Sequence, residues 1–135
     1  MNTSIKAIGM DMNAKLSTLW IFVLFNMIFS EFHKLLQPGF LEEVVTGTIS
    51  GVQMSQEVLL LGAMVLEIPI AMALLSRVLK YRVNRWANII AGAITSAILI
   101  FNVSTDLDNI FFSTIGVVAI SLIVWYAWRW HKQQA

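Results

Sequence analysis

Glu67 lies inside "GAMVLEIPIAMALLSR", the run from Gly62 to Arg77, which is otherwise apolar up to its last two residues. Pro69 follows two residues later. The surrounding stretch runs from Glu57 to Arg77, so Glu67 stands at its centre. At about 1.5 Å per helical residue, it is roughly 15 Å from either end, too far for a carboxylate to reach water. A charged residue at that depth in a bilayer costs at least about 2.5–3.5 kcal/mol. Glu67 is therefore expected to face the interior of a helix bundle, hydrogen-bonded or carrying a proton. Pro69 has no N–H for the carbonyl of Val65, which predicts a helix kink beside the acid.

Other polar residues fall at matching depth. Asn26, Ser30, His33 and Gln37 recur at i, i+4, i+7 and i+11, one stripe of a helix leading from mid-depth to one surface. Thr95 and Ser96 sit near the middle of a third apolar run. Such a layer suits a small ligand or a proton, with Asn26 or Thr95 as the expected partner of Glu67. The alternative is helix glue, for which interhelical hydrogen bonds average about 0.6 kcal/mol in membranes. His33, beside Glu31 and Lys34, is read as an interfacial histidine or as a contact at the mouth of the site. Glu31, His33, Glu42, Glu43, Asp106 and Asp108 show no metal-ligand spacing, so no metal is expected. The chain has no cysteine, which removes thiolate chemistry and disulfides. No Ser/His/Asp spacing and no glycine-rich phosphate loop occurs, so no catalytic residue is assigned.

These residues need elements long enough to hold them in lipid. The chain has 135 residues, 58% of them hydrophobic and only 13% charged, with mean hydropathy +0.75. Soluble domains carry about a quarter charged residues, so this composition cannot cover a water-facing surface. About 20 apolar residues span a bilayer as a helix. Four stretches qualify, at about 16–36, 57–78, 86–103 and 109–128, which predicts an all-α, four-transmembrane-helix bundle forming one membrane domain over residues 1–135. The outer loop at 37–56 is the longest connection. Within it "FLEEVV" reads as a short interfacial helix and "TGTISGVQMS" as a small hairpin or an irregular cap.

Charge gives the direction. Lys6, Lys15, Arg77, Lys80, Arg82, Arg85, Arg129 and Lys132 all fall on one side of a four-pass chain. Glu31, Glu42, Glu43, Glu57, Asp106 and Asp108 fall on the other, with Lys34 their one basic neighbour. Basic loops stay in the cytoplasm, so both termini are expected inside. The five Trp residues lie toward that basic side and are expected to anchor its headgroup rim. The first span is expected to be retained rather than cleaved as a signal peptide. Four basic residues between two spans fit topology and anionic lipid rather than nucleic acid. Ala87, Ala91 and Thr95 on the third span, and Ser113, Gly116 and Ala119 on the fourth, are expected to let helices approach closely.

"LEIPIAMALLSRVLKYRVNRWANIIAGAI" and "FHKLLQPG" together resemble the DoxX-like families of small bacterial four-helix membrane proteins. The shared pattern is a helix-borne acid, an apolar stretch, a basic turn and a small-residue helix. The resemblance implies a multi-pass protein of the bacterial inner membrane, in an uncharacterised branch, with Glu67 as a shared intramembrane acid. Some such relatives are subunits of oxidoreductase complexes that pass electrons to quinone. No cofactor is fixed by the residues themselves, and a quinone or a lipid is the ligand class the resemblance points to.

Three functional classes follow. The first is a membrane module binding a lipophilic ligand between its helices, as an accessory subunit of a membrane complex without activity of its own. Its site would comprise Glu67, Asn26, Ser30, His33, Thr95 and Ser96. The second is a proton-coupled exporter of small cations that uses Glu67. The third is an assembly protein without a ligand. The lipid bilayer is the constant partner, and small-residue faces permit a homodimer.

Overall fold

The apolar stretches form long helices because a backbone in lipid must satisfy its own polar groups. The computed structural model describes residues 11–131. Helix α1 is Met12–Lys34, α2 is Phe40–Thr46, α3 is Gln56–Val78, α4 is Tyr81–Phe101 and α5 is Leu107–Trp128. Strands β1 (Thr48–Ile49) and β2 (Val52–Gln53) pair as a small antiparallel hairpin between α2 and α3. Helices α1, α3, α4 and α5 are each long and apolar enough to cross a membrane.

The helix limits follow from capping rather than hydropathy. The Asp11 carboxylate accepts from Ala14 N at 2.7 Å, so α1 starts a turn before its apolar run. Ser55 caps α3 in the same way through Val58 N. Helix α4 begins at Tyr81, so Arg82 and Arg85 lie within its first two turns. Arg85 reaches across to the end of α5, donating from Nε to the Ala127 carbonyl and from Nη2 to that of Trp128, both at 3.0 Å. A guanidinium there satisfies carbonyls left free at the helix end and offsets their partial charge. In the outer loop, Ser50 and Gly51 both take positive φ, 50° and 79°, as a two-residue type I′ hairpin turn requires.

The four long helices pack as a ring. Helix α1 lies against α3 and α5, and α4 completes the ring against the same two. The α3–α4 seam is the sparsest of the four. Small residues set the closest approaches. A Cβ on Gly92 of α4 would stand 2.6 Å from Val124 Cγ2 of α5. One on Gly116 of α5 would stand 2.9 Å from Leu99 Cδ1 and 3.2 Å from Asn26 Nδ2. Ala91, Gly92, Thr95, Gly116 and Ala119 are all buried in these contacts.

The core sits mainly in the half of the bundle nearer the basic end. Leu16, Trp20, Val23, Met72, Ile120, Ile123 and Trp130 all belong to it. Two tryptophans thereby depart from the expected role of rim anchors: Trp20 is 0% and Trp130 1% exposed. Trp86, Trp125 and Trp128 remain on the surface. Trp20 is drawn inward because a polar partner waits for its indole N–H in the core.

Candidate functional site

That partner is Asn88 of α4. Trp20 Nε1 donates to Asn88 Oδ1 at 2.7 Å, and Ser76 Oγ of α3 donates to the same oxygen at 3.2 Å. Asn88 Nδ2 in turn donates to Asn84 Oδ1 at 2.7 Å and to the Asn84 carbonyl at 2.8 Å. Asn84 Nδ2 donates to the Ser76 carbonyl at 2.8 Å. Ser76, Asn84 and Asn88 are fully buried. Nearby, Ser17 Oγ of α1 donates to the Ala73 carbonyl of α3 at 2.6 Å. This network ties three helices together at the basic end, and every side-chain amide in it is engaged. Its members were not among the expected site residues. The signal was present, however: Asn84, Asn88, Ala91 and Thr95 recur at intervals of four, three and four, the buried stripe of α4.

The opposite half of the bundle is open. A cavity of about 730 Å³ lies between α1, α3, α4 and the start of α5, with Met54 of the hairpin segment beside it. Its walls are mostly apolar: Met27, Val58, Leu59, Leu61, Gly62, Val65, Leu66, Ile98, Leu99 and Phe112. Asn26, near the middle of the membrane span, and Ser30, one turn further out, supply polar atoms, and Glu31, Lys34 and Asn102 lie toward the helix ends. Asn26 Nδ2 donates to the Phe112 carbonyl at 2.8 Å, which fixes the amide and leaves its oxygen as an acceptor. Lys34 Nζ donates to Glu31 Oε1 at 2.7 Å, an ion pair between partly exposed groups at the mouth. The Cβ position of Gly62 meets nothing within 4 Å, so the cavity wall is bare backbone there.

The expected site residues are only partly brought together. Asn26 and Ser30 share the cavity. His33 and Gln37 leave it and converge on α5, where His33 Nδ1 is 2.9 Å from Asp108 Oδ2 and Gln37 Nε2 donates to that oxygen at 3.3 Å. The His33 ring also lies 5.8 Å from that of Phe112, on the outer side of the cavity wall. Thr95 is buried but turns back on its own helix, donating to the Ala91 carbonyl at 2.8 Å. Ser96 is half-buried and lies outside the cavity lining. Helix α3 runs unbroken through Pro69, which is buried against the bundle.

Glu67 corrects the central expectation. It is exposed, on the face of α3 turned away from the bundle. The buried residues of α3 are Pro69, Met72 and Ser76. At about 100° per residue, Glu67 lies roughly 200° round the helix from Pro69, so whatever buries the proline turns the acid outward. Neither Asn26 nor Thr95 bonds to it. It makes no hydrogen bond or ion pair with any described residue. Among the described residues no three His, Cys, Asp or Glu side chains form a metal-binding group.

A family model described as "Family of unknown function (DUF6326)" matches residues 5–135. The chain belongs to that family. No curated protein and no solved structure matches it. Nothing in the comparisons ties it to the DoxX-like families. The four apolar helices agree with a small multi-pass membrane protein.

Proposed function

We propose that the protein binds a lipophilic molecule with a compact polar head in the cavity between α1, α3 and α4. The observation that carries this reading is the cavity itself: about 730 Å³, apolar-walled, with Asn26 and Ser30 in its lining. Ligand sites are typically cavities of about 300–1,000 Å³ with a few convergent polar groups. The Asn26 oxygen accepts and the Ser30 hydroxyl donates, so a carbonyl or hydroxyl head is matched there. A quinone fits this chemistry: one carbonyl accepts from Ser30, and the isoprenoid tail leaves through the sparse α3–α4 seam. The basic end is placed in the cytoplasm by the charge rule, which opens the cavity toward the outer leaflet. In this reading the chain is an inner-membrane relative of the DoxX-like proteins and serves a larger membrane complex as an accessory subunit. The exporter alternative needs its acid on a ligand path, and Glu67 is not among the cavity residues.

Native mass spectrometry after gentle extraction tests the proposal. The wild-type protein should retain one lipophilic molecule of defined mass. Gly62→Phe, which places a ring in open space, should abolish that mass while leaving the fold intact. A wild-type spectrum of bare protein, or an equal adduct on the Gly62→Phe variant, would refute it.

A further inference from the structure

Glu67 has no partner among the described residues, yet it stands at the centre of α3, eleven residues from each end of Gln56–Val78. At about 1.5 Å per residue it is about 16 Å from either end, beyond the reach of its side chain. An ionisable group left among acyl chains is unfavourable, so this surface is not one that lipid alone covers well. Helix α3 is also the least covered span, with 11% of its apolar window buried against 28–33% for the other three.

The residues around Glu67 form a seam. Leu60, Met64, Glu67, Ala71, Leu74 and Val78 recur at intervals of four, three, four, three and four, the spacing that keeps one stripe facing a parallel neighbour. Leu60, Met64, Leu74 and Val78 are each 60–66% exposed. Ala71 stands on the stripe one turn beyond the acid, which lets another backbone come close. Glu67 is the one polar group of the stripe.

We infer that α3 is a homodimer interface, in which Glu67 pairs with Glu67 of the partner subunit across a two-fold axis parallel to the bilayer normal. A second copy inserts with the same direction and therefore brings its own carboxyl to the same depth. Across a two-fold axis like meets like, so the two acids face each other. Each side chain, carrying its proton, donates O–H to the carbonyl oxygen of the other, and both polar groups are satisfied by one contact. A foreign helix would need a polar residue at this depth, whereas a second copy supplies it by symmetry. The interface lies on the face of α3 opposite Pro69, so it stands apart from the ligand reading of the cavity.

The absence of cysteine makes the test direct. Leu60→Cys and Leu74→Cys, on the seam, should each form disulfide-linked dimers in native membranes treated with a lipid-permeable oxidant. Phe25→Cys, exposed on α1, should not. Adding Glu67→Leu to either seam variant should weaken dimerisation roughly eightfold, the loss of two interhelical hydrogen bonds of about 0.6 kcal/mol each in a bilayer, and lower the crosslinked fraction accordingly. Glu67→Gln, whose amides also pair, should retain most of it. Leucine at a lipid-facing position leaves the bundle folded, and retained helical circular dichroism verifies that. Absence of crosslinks at both seam positions overturns the inference. So does equal crosslinking from Phe25→Cys, or a dimer fraction indifferent to Glu67→Leu.

Discussion

Replacing Asn88 by alanine tests whether the amide network holds the basic end of the bundle together. The substitution deletes the one oxygen that accepts from both Trp20 Nε1, at 2.7 Å, and Ser76 Oγ, at 3.2 Å. Trp20 and Ser76 are 0% exposed, so neither donor can turn to water. A buried donor left unmatched costs about 1–3 kcal/mol, which for two gives about 2–6. In a bilayer the separated helices find substitute partners, and measured interhelical bonds average only about 0.6 kcal/mol, so the lower end applies. The expected loss is about 2–3 kcal/mol, a roughly 30- to 150-fold shift in the unfolding equilibrium. Trp20→Phe removes a donor instead of stranding one, and Asn88 keeps its bond from Ser76. It should cost about 1 kcal/mol for the lost bond. Steric trapping or forced unfolding in bicelles reads both variants and their double mutant. A coupling of at least about 0.5 kcal/mol is expected for groups in direct contact. A loss for Asn88→Ala no larger than that for Trp20→Phe, or a coupling of zero, would refute the reasoning.

Two further perturbations read other parts of the bundle. Gly92→Ala places a methyl 2.6 Å from Val124 Cγ2, a stiff branched side chain, and should destabilise by about 1–3 kcal/mol in the same unfolding assay. Gly116→Ala meets the flexible tip of Leu99 at 2.9 Å and the Asn26 amide nitrogen at 3.2 Å and should fall at the lower end of that range, about 1 kcal/mol. His33→Ala and Asp108→Asn break a pair whose side chains are 44% and 30% exposed, so each should change stability by no more than about 1 kcal/mol. Because neither residue lines the cavity, both variants should keep the adduct that Gly62→Phe loses, as native mass spectrometry would show.

Long apolar runs and a basic turn made the four helices legible in the sequence, while the outer hairpin was one of two readings of "TGTISGVQMS". Lipid demands those features of any chain that crosses it. The phase of each helix was not legible in the same way. Helix α3 is apolar on almost every face, so nothing local says which side meets the bundle, and Glu67 was expected inward when Pro69 takes that side. Trp20 shows the same gap from the other direction. An indole near the basic end suits the headgroup rim, and only the facing Asn88 explains its burial. The stripe was a true helical face only from Asn26 to His33, since α1 ends at Lys34, and the ring of helices splits it, Asn26 and Ser30 toward the cavity and His33, with Gln37 beyond the helix end, toward Asp108. Gly62 carried no signal at all, because bare backbone becomes a cavity wall only when neighbouring helices stand apart.

Photolabelling reads where a ligand sits. A quinone analogue with a diazirine on its ring, added to membranes containing the protein and irradiated, leaves adducts that peptide mapping assigns. Labels should concentrate between Asn26 and Lys34 and between Val58 and Leu66, and should be lost in Gly62→Phe. Labels spread evenly over exposed residues such as Phe22, Phe25 and Val118, and unchanged in that variant, would contradict it.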